Sequence, residues 1–265
     1  MNQHLKPGAL IAAAAAALAL SGTALAAPTS QEHCAGQPCR DLNGCGGGGG
    51  GSMDMAGGGH GDAKDPRIEE ALVREAKKGD VKKQLQLGIR YEQGADVEQS
   101  YTEAAAWYAK AAAQGSADAQ LRLGRLYYAG LGKKRDLAQA VAWFEKAALQ
   151  NEVKAAALLG VLYASGDQLP KDEAKAAQWA TRAAALGHAG SQSNLGVMYL
   201  NGQGVAQDRV AAYKWFAIAE ANGDKKAAEY RAIVMQSMTP EQVAAAQAEA
   251  KAWQAAPLAQ NGGAI

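Results

Sequence analysis

The sequence predicts an all-α protein: a right-handed α/α solenoid of four 36-residue helix-turn-helix repeats with capping helices, preceded by a disordered Gly-rich arm. The first observation behind this prediction is a period of 36 residues that links five columns of identical residues without an insertion. The columns are Leu87, Leu123, Leu159, Leu195; Gly88, Gly124, Gly160, Gly196; Tyr91, Tyr127, Tyr163, Tyr199; Gly94, Gly130, Gly166, Gly202; and Trp107, Trp143, Trp179, Trp215. The second observation is that apolar residues within each period recur at helical spacing. The repeats are therefore placed at 80–115, 116–151, 152–187 and 188–223.

Each repeat is predicted to contain two helices joined by a glycine turn. In the second repeat, Ala119, Leu123 and Leu126 lie on one face of the first helix. Every second helix begins at a residue whose side-chain oxygen can accept a hydrogen bond from the first turn, namely Ser100, Asp136, Asp172 and Asp208. Every second helix ends at a residue that tolerates a left-handed backbone, namely Gly115, Asn151, Gly187 and Gly223.

A glycine inside each first helix predicts close helix packing. Glycine in a helix interior costs about 1 kcal/mol relative to alanine. Its presence at the same register in all four repeats indicates that the neighbouring helix backbone crosses there, with the Trp ring packed nearby. The Ala-rich composition, with only two Phe in the whole chain, agrees with a core built by close packing of small residues.

The repeats are predicted to be covered at both ends. Residues 65–79 form an N-terminal capping helix in the register of a second helix, and residues 224–254 form C-terminal capping helices. Thr239, Pro240 and Gln242 start the last helix with an N-cap, a first-position proline and a capping-box partner. Residues 255–265 are predicted to be a frayed tail.

Three stretches of this pattern resemble the Sel-one-like repeat (SLR) family, which is related to tetratricopeptide solenoids. They are AQLRLGRLY at 119–127, AWFEKAA at 142–148 and GQGVAQD at 202–208. The third repeat departs from the pattern with Ala180 after its Trp, where the others have Tyr or Phe, and its turn lacks the second Gly. In the first repeat, Asp96 stands in place of that Gly. The resemblance implies a solenoid that binds a protein or peptide partner in a groove lined by the first helix of each repeat.

The positions of the first helices that vary between repeats are the candidate binding residues. They recur at i, i+4, i+7 and i+11, and they carry amide, basic and apolar side chains instead of a repeating residue type. The predicted partner-binding residues are Gln86, Gln93, Arg122, Arg125, Asn194 and Asn201. Arg122 and Arg125 are the leading candidates because guanidinium groups bind carboxylates through two hydrogen bonds. The alternative is that this face is only solvated. Lys133, Lys134 and Arg135 are interpreted as a solvated basic turn.

The N-terminus predicts export. An apolar run at 9–20 follows Lys6 and leads to an A-x-A cleavage pattern that ends at Ala26, so residues 1–26 are interpreted as a signal peptide. A spanning helix needs about 20 apolar residues, and we therefore expect no membrane insertion after signal cleavage. The expected location is the periplasm, with secretion as the alternative.

Residues 27–64 are predicted to form a disordered Cys- and Gly-rich arm. The three cysteines of the chain lie there, and an oxidising compartment favours a disulfide between Cys34 and Cys39, which leaves Cys45 to link two copies into a dimer. A weaker alternative is a copper(I) or zinc site, because the arm also holds other soft or borderline ligands. The candidate ligands are Cys34, Cys39, Cys45, Met53, Met55 and His60.

Charge and residue types restrict the function. The chain has 27 Lys+Arg and 26 Asp+Glu, which argues against a nucleic-acid partner. The only His after the arm is His188, and no spacing assembles a nucleophile with a base and a carboxylate. We therefore expect an exported, non-enzymatic scaffold that binds a protein or peptide partner in the cell envelope and needs no cofactor. The alternatives are a metal- or redox-responsive arm and, as a weaker one, an envelope hydrolase.

Overall fold

The computed structural model describes residues 66–255, with side chains described for 70–254, and this part of the chain is all-helical. Its helices are α1 (Pro66–Lys77), α2 (Val81–Gln93), α3 (Tyr101–Ala113), α4 (Ala117–Ala129), α5 (Leu137–Leu149), α6 (Val153–Ser165), α7 (Glu173–Ala185), α8 (Ala189–Asn201), α9 (Arg209–Ala221), α10 (Ala227–Met235) and α11 (Pro240–Ala255). The predicted signal peptide, the arm with its three cysteines, and the tail beyond Ala255 lie outside the described residues.

The helices pack in chain order, which confirms the predicted solenoid. The most extensive contacts join the two helices of one repeat, as in α4 with α5, and the next most extensive join the second helix of one repeat to the first helix of the next. Two columns of alanine on the second helices are fully buried: Ala104, Ala140, Ala176, Ala212, and Ala111, Ala147, Ala183, Ala219. Small residues therefore let the helices approach closely, as the composition predicts.

The ends of the second helices agree with the sequence. The side chains of Ser100, Asp136, Asp172 and Asp208 each accept a hydrogen bond from a backbone N–H of the first helical turn. The residues after these helices are left-handed, including Asn151 at φ 65°. The last helix begins with a reciprocal pair in which Gln242 N donates to Thr239 Oγ1 at 3.3 Å and Thr239 N donates to Gln242 Oε1 at 3.0 Å. Local hydrogen bonds thus set where these helices begin and end.

In the first, second and fourth repeats the glycine of the first helix faces an aromatic ring, and that ring belongs to the residue after the Trp. A Cβ on Gly124 would lie 2.6 Å from Phe144 Cε1 and 3.2 Å from the backbone oxygen of Ala140. The same holds at Gly88 against the ring of Tyr108. The glycine therefore admits the ring of the residue after the Trp, together with the close helix backbone.

Trp107 and Trp143 pack toward the preceding element of the solenoid. Trp107 lies in a cluster with Leu72 and Ala76 of α1, and Trp143 packs against the apolar cluster of α3 and α4. Each of these two rings therefore covers the second-helix position of the preceding element, whereas the predicted crossing of the neighbouring helix backbone is found at Gly124 and Gly160.

In the first, second and fourth repeats, a pair of hydrogen-bonded amide side chains links the repeat to a backbone carbonyl at the end of the helix that precedes it. Gln120 Nε2 donates to the Ala112 carbonyl at 3.1 Å, and Gln150 Nε2 donates to Gln120 Oε1 at 2.8 Å. Equivalent pairs are Gln84 with Gln114 and Gln192 with Asn222. Because Gln84, Gln120 and Gln192 are buried, these bonds satisfy polar groups that would otherwise be costly to bury.

The turn of the second repeat docks on the repeat before it. Gly132 has φ 66°, and a Cβ there would lie 2.2 Å from the backbone carbon of Tyr101 at the start of α3. No side chain fits in this space, and the φ value also favours glycine. In the first repeat, Asp96 adopts the same conformation with φ 66°.

Candidate partner-binding surface

The sixteen variable positions of α2, α4, α6 and α8 define what we call the first-helix face. They are Lys82, Gln86, Ile89, Gln93, Asp118, Arg122, Arg125, Ala129, Lys154, Leu158, Val161, Ser165, Gly190, Asn194, Val197 and Asn201. All of them are exposed or half-buried except Val197. The face is therefore largely free of core packing within the described part of the chain.

The six predicted binding residues are distributed along this face from the first to the fourth repeat. Gln86, Gln93 and Arg125 are exposed, whereas Arg122, Asn194 and Asn201 are half-buried. They share a surface, but they do not form one compact cluster. Their role in binding stays a prediction.

Arg122 is bonded within the chain. Its Nε donates to Asp118 Oδ1 at 2.9 Å, and its Nη1 donates to Glu92 Oε2 at 3.0 Å. The Tyr108 hydroxyl donates to the same Glu92 oxygen. Burial and the adjacent Glu92 carboxylate raise the pKa of Tyr108, which keeps its hydroxyl protonated as a donor. The network joins the first repeat to the second.

The partners of Arg122 carried no sequence signal. Glu92 lies in a column whose other members are Tyr128, Ala164 and Leu200, so no repeat pattern selects it. In contrast to Arg122, Arg125 is exposed and pairs with no side chain of the described residues. Of the two leading arginines, Arg125 is therefore the one whose guanidinium group is open to a partner.

The apolar part of the face differs between repeats. Val161 in α6 is 44% exposed, whereas Val197, at the same position in α8, is only 9% exposed. Val197 belongs to a cluster with Tyr230 and Val234 of α10. The C-terminal capping helix therefore closes the face at the fourth repeat and leaves it open at the third.

The basic turn lies at the edge of the solenoid beside an open cleft of about 710 Å³ that is also lined by Tyr127 and Leu137. Arg135 Nε donates to the Tyr128 carbonyl at 3.1 Å, and its Nη2 donates to Gln168 of the next turn. Lys133 and Lys134 are exposed. Arg135 thus holds two turns together, and Lys133 Nζ lies 5.8 Å from the centroid of the Tyr127 ring.

No metal-binding cluster is found among the residues that the structure describes. In this part of the chain, no group of three His, Cys, Asp or Glu side chains could hold a metal ion. His188 serves as an N-cap, because its Nδ1 accepts from Ser191 N at 3.0 Å, and burial lowers the pKa of His188. None of the described helices is long and apolar enough to cross a membrane. The alternative metal ligands of the arm lie outside these residues.

Two solved structures resemble this chain closely in fold. One is a protective antigen present in uropathogenic Escherichia coli strains that displays an SLR fold, with 33% identity, a TM-score of 0.63, and coverage of 77% of this chain and 44% of that chain. The other is a Sel1 repeat protein from Oxalobacter formigenes, with 30% identity, a TM-score of 0.61, and coverage of 70% of this chain and 79% of that chain. The chain thus spans less than half the length of the first of these proteins.

The family assignment follows from the repeats themselves. The family model described as Sel1 repeat matches residues 84–116, 117–152, 153–188 and 189–224, which together make up more than half of the chain. A search of curated proteins finds no match. Sel1 repeat solenoids are in general non-enzymatic scaffolds for protein interaction. With four consecutive repeats and a fold shared with solved SLR proteins, this chain belongs to the Sel1 repeat family.

Proposed function

We propose that this chain is an exported, non-enzymatic adaptor that binds a protein or peptide partner in the cell envelope through its first-helix face. The observation that carries the proposal is the contrast between packing positions and face positions. The Leu and Gly columns of the first helices repeat and are buried, whereas the face positions vary in residue type and, with one exception, reach solvent. A surface freed from packing can specialise for a partner.

The chemistry of the face supports a polypeptide partner. Amides such as Gln86 and Gln93 can both donate to and accept from a peptide backbone, Arg125 can bind a carboxylate, and Val161 offers apolar area. This mixture of groups suits an extended or helical segment better than a small metabolite, for which an enclosed pocket is the usual site.

Crosslinking tests the binding face. The photoreactive residue p-benzoylphenylalanine is introduced singly at Gln86, Gln93 or Asn194, and the protein is expressed in its own envelope before irradiation. Matched controls are Ala106, Ala142 and Gln178, which form one exposed column on the second helices. We expect crosslinks to a common partner from the first set and not from the control column.

An arm-deleted variant separates the solenoid from the segment before it. Deleting residues 27–64 should leave the crosslinked partner unchanged. Crosslinks from the control column alone would contradict the proposal, and loss of the partner with the arm would move the binding function to the cysteine-bearing segment.

Export is proposed on the N-terminal sequence alone. We expect the mature protein in the periplasmic fraction with Ala27 as its first residue, because the A-x-A pattern ends at Ala26. N-terminal sequencing of the purified protein checks this, and an intact Met1 on envelope-fraction protein would contradict cleavage. Non-reducing electrophoresis of the wild type beside Cys45→Ser tests the proposed disulfide-linked dimer.

A further inference from the structure

The charges on the central first helices are unbalanced. Across α4, α6 and α8, the charged side chains are Asp118, Arg122, Arg125 and Lys154 only. Asp118 is bonded to Arg122, and the same arginine also holds Glu92 of α2.

Two cations on this stretch are left without a partner among the described residues. Arg125 and Lys154 are both exposed, and no side-chain carboxylate is bonded to either of them. The nearest acid in sequence, Glu152, is the N-cap of α6, where its Oε1 accepts from Lys154 N at 3.3 Å. Arg125 and Lys154 are therefore the two exposed cations of this part of the face that stay open to a partner.

One exposed apolar side chain, Val161, lies on the same part of the face as these cations. Val161 is one of the few large hydrophobic side chains that the described residues leave exposed, at 44%. It occupies the same position in α6 as Arg125 does in α4, and Leu158 lies one helical turn before it. Val161 thus shares this part of the face with two cations that no carboxylate of the described residues pairs with.

We propose that the stretch of the first-helix face formed by Arg125, Lys154, Leu158 and Val161 binds an acidic peptide segment that carries an apolar anchor. This inference rests on the proposed function and names the chemistry of its partner. A carboxylate pairs with the Arg125 guanidinium, a second carboxylate pairs with the Lys154 ammonium, and an apolar side chain covers Val161 and Leu158.

Helix geometry sets the spacing of the peptide. Lys154 and Val161 are seven residues apart in one helix, which corresponds to about 10 Å along its axis. An extended peptide advances about 3.3 Å per residue, so its acidic residue and its apolar anchor should lie about three positions apart.

Labelled peptides test the proposal. Fluorescence anisotropy is measured with the full mature chain and peptides in which Glu-Gly-Ser-Leu is repeated. Comparison peptides replace every Glu by Gln, every Glu by Lys, or every Leu by Ser. We expect the Glu-Leu peptide to bind at least about tenfold more tightly than the Gln, Lys or Ser versions, and this preference should weaken at high ionic strength.

Variants locate the site. Arg125→Glu and Val161→Ser should each weaken binding of the Glu-Leu peptide, with about a tenfold loss for the charge reversal. The matched control is Lys134→Glu, which makes the same charge change at an exposed lysine of the basic turn and should leave binding within about twofold. Far-UV circular dichroism of each variant verifies that the helices are retained.

Three outcomes overturn the inference: tighter binding of the Lys peptide, an equal loss in Lys134→Glu and Arg125→Glu, or no binding of the Glu-Leu peptide up to about 1 mM. The crosslinking experiment distinguishes these outcomes from failure of the proposed function. Crosslinks at Gln86 or Asn194 would uphold partner binding on the face even when the acidic peptide fails, whereas their absence would remove both.

Discussion

The second and third repeats have the same length, helix ends and glycine column, yet they are packed differently. In the second repeat, Gly124 faces the ring of Phe144, and a Cβ there would lie 2.6 Å from the ring. In the third repeat the residue after the Trp is Ala180, and the atoms nearest to a Cβ on Gly160 would be the backbone nitrogen of Ala180, at 3.3 Å, and the backbone oxygen of Ala176, at 3.5 Å. The same glycine therefore makes room for a side chain in one repeat and for a helix backbone in the other.

The polar links of the two repeats differ in the same way. The second repeat uses the amide pair of Gln120 and Gln150, whereas the third has Ala156 and Leu186 at those positions. There, Arg182 Nε donates to the Ala148 carbonyl at 2.9 Å, which is the position that Ala112 holds in the second repeat. Different side chains thus satisfy the same helix-end carbonyl, and the fold tolerates the exchange because the required acceptor is part of the backbone.

The largest expected effect comes from making the second repeat resemble the third. Phe144 is only 1% exposed, and Phe144→Ala should lower the free energy of unfolding by about 3–5 kcal/mol because α4 and α5 cannot fully close the cavity. Urea unfolding followed by circular dichroism measures the loss. Leu149→Ala on the same helix is the control, since Leu149 is 64% exposed and should change the value by no more than about 0.5 kcal/mol. A loss of under about 1 kcal/mol for Phe144→Ala would mean that the second repeat is as stable with an alanine after its Trp as with a phenylalanine.

The glycine column sharpens the comparison. Gly124→Ala should destabilise by about 1–3 kcal/mol, because the ring of Phe144 must move. Gly160→Ala should leave the unfolding free energy nearly unchanged. The backbone of Ala180 must move by a few tenths of an ångström, and the cost of this movement is offset by a helix-propensity gain of about 1 kcal/mol. The same unfolding measurement compares them.

A double variant checks the cause of the glycine effect. The variant that combines Phe144→Ala with Gly124→Ala should lose less unfolding free energy than the sum of the two single losses. The reason is that the clash between the added methyl group and the ring is no longer present. Equal costs for Gly124→Ala and Gly160→Ala, or strict additivity, would rule out the ring as the reason for the glycine.

The polar exchange predicts a smaller effect. Arg182→Met removes hydrogen bonds to the Ala148 and Leu149 carbonyls and to Asn151, and it should cost about 1–3 kcal/mol of unfolding free energy. Lys146 occupies the equivalent position in the second repeat, and its Nζ lies 4.0 Å from the centroid of the Trp143 ring. Lys146→Met should therefore cost only about 0.5–1 kcal/mol. A cost for Lys146→Met as large as that for Arg182→Met would contradict the assigned role of Arg182.

The smallest expected effect concerns the helix starts of the third and fourth repeats. Glu152 caps α6, and His188 caps α8 through Nδ1, which can accept a hydrogen bond only when the imidazole is neutral. Burial lowers the pKa of His188 below its ordinary value of 6.5. Its stabilising contribution is therefore complete above pH 6.5 and is lost as the pH falls through the lower value of the folded state.

A substitution isolates this pH dependence. His188→Asn retains a capping side chain and does not titrate, so the wild type should lose about 1 kcal/mol relative to this variant as the pH falls below 6.5. Parallel pH dependence of the two proteins would mean that His188 does not couple protonation to stability.

Much of the fold could be predicted because its determinants are local. The caps at Asp136 and Asp172, the left-handed Asn151 and the capping box of Thr239 and Gln242 each depend on residues within a few positions of one another. Repetition then fixes the register of the helices four times over, and the same local signals place the variable positions on an exposed face.

The candidate site could be predicted only in part, because its state depends on residues far apart in the chain. Arg122 was a leading candidate for binding a carboxylate of the partner, but it reaches Glu92, thirty residues earlier in the chain, and of the two arginines only Arg125 stays open. Val197 occupies a variable position of the same face, but α10 covers it. Neither Glu92 nor α10 belongs to a repeated column, so the period of 36 residues does not reveal these contacts.

The sequence by itself thus determined the number of repeats, the helices and their ends, because hydrogen bonds within one turn and a 36-residue period carry that information. Only the tertiary structure decided which ring packs on Gly124, which cation remains available and where the first-helix face closes. Those outcomes depend on how neighbouring repeats approach each other, and this distance is set jointly by many small side chains such as Ala147 and Ala183.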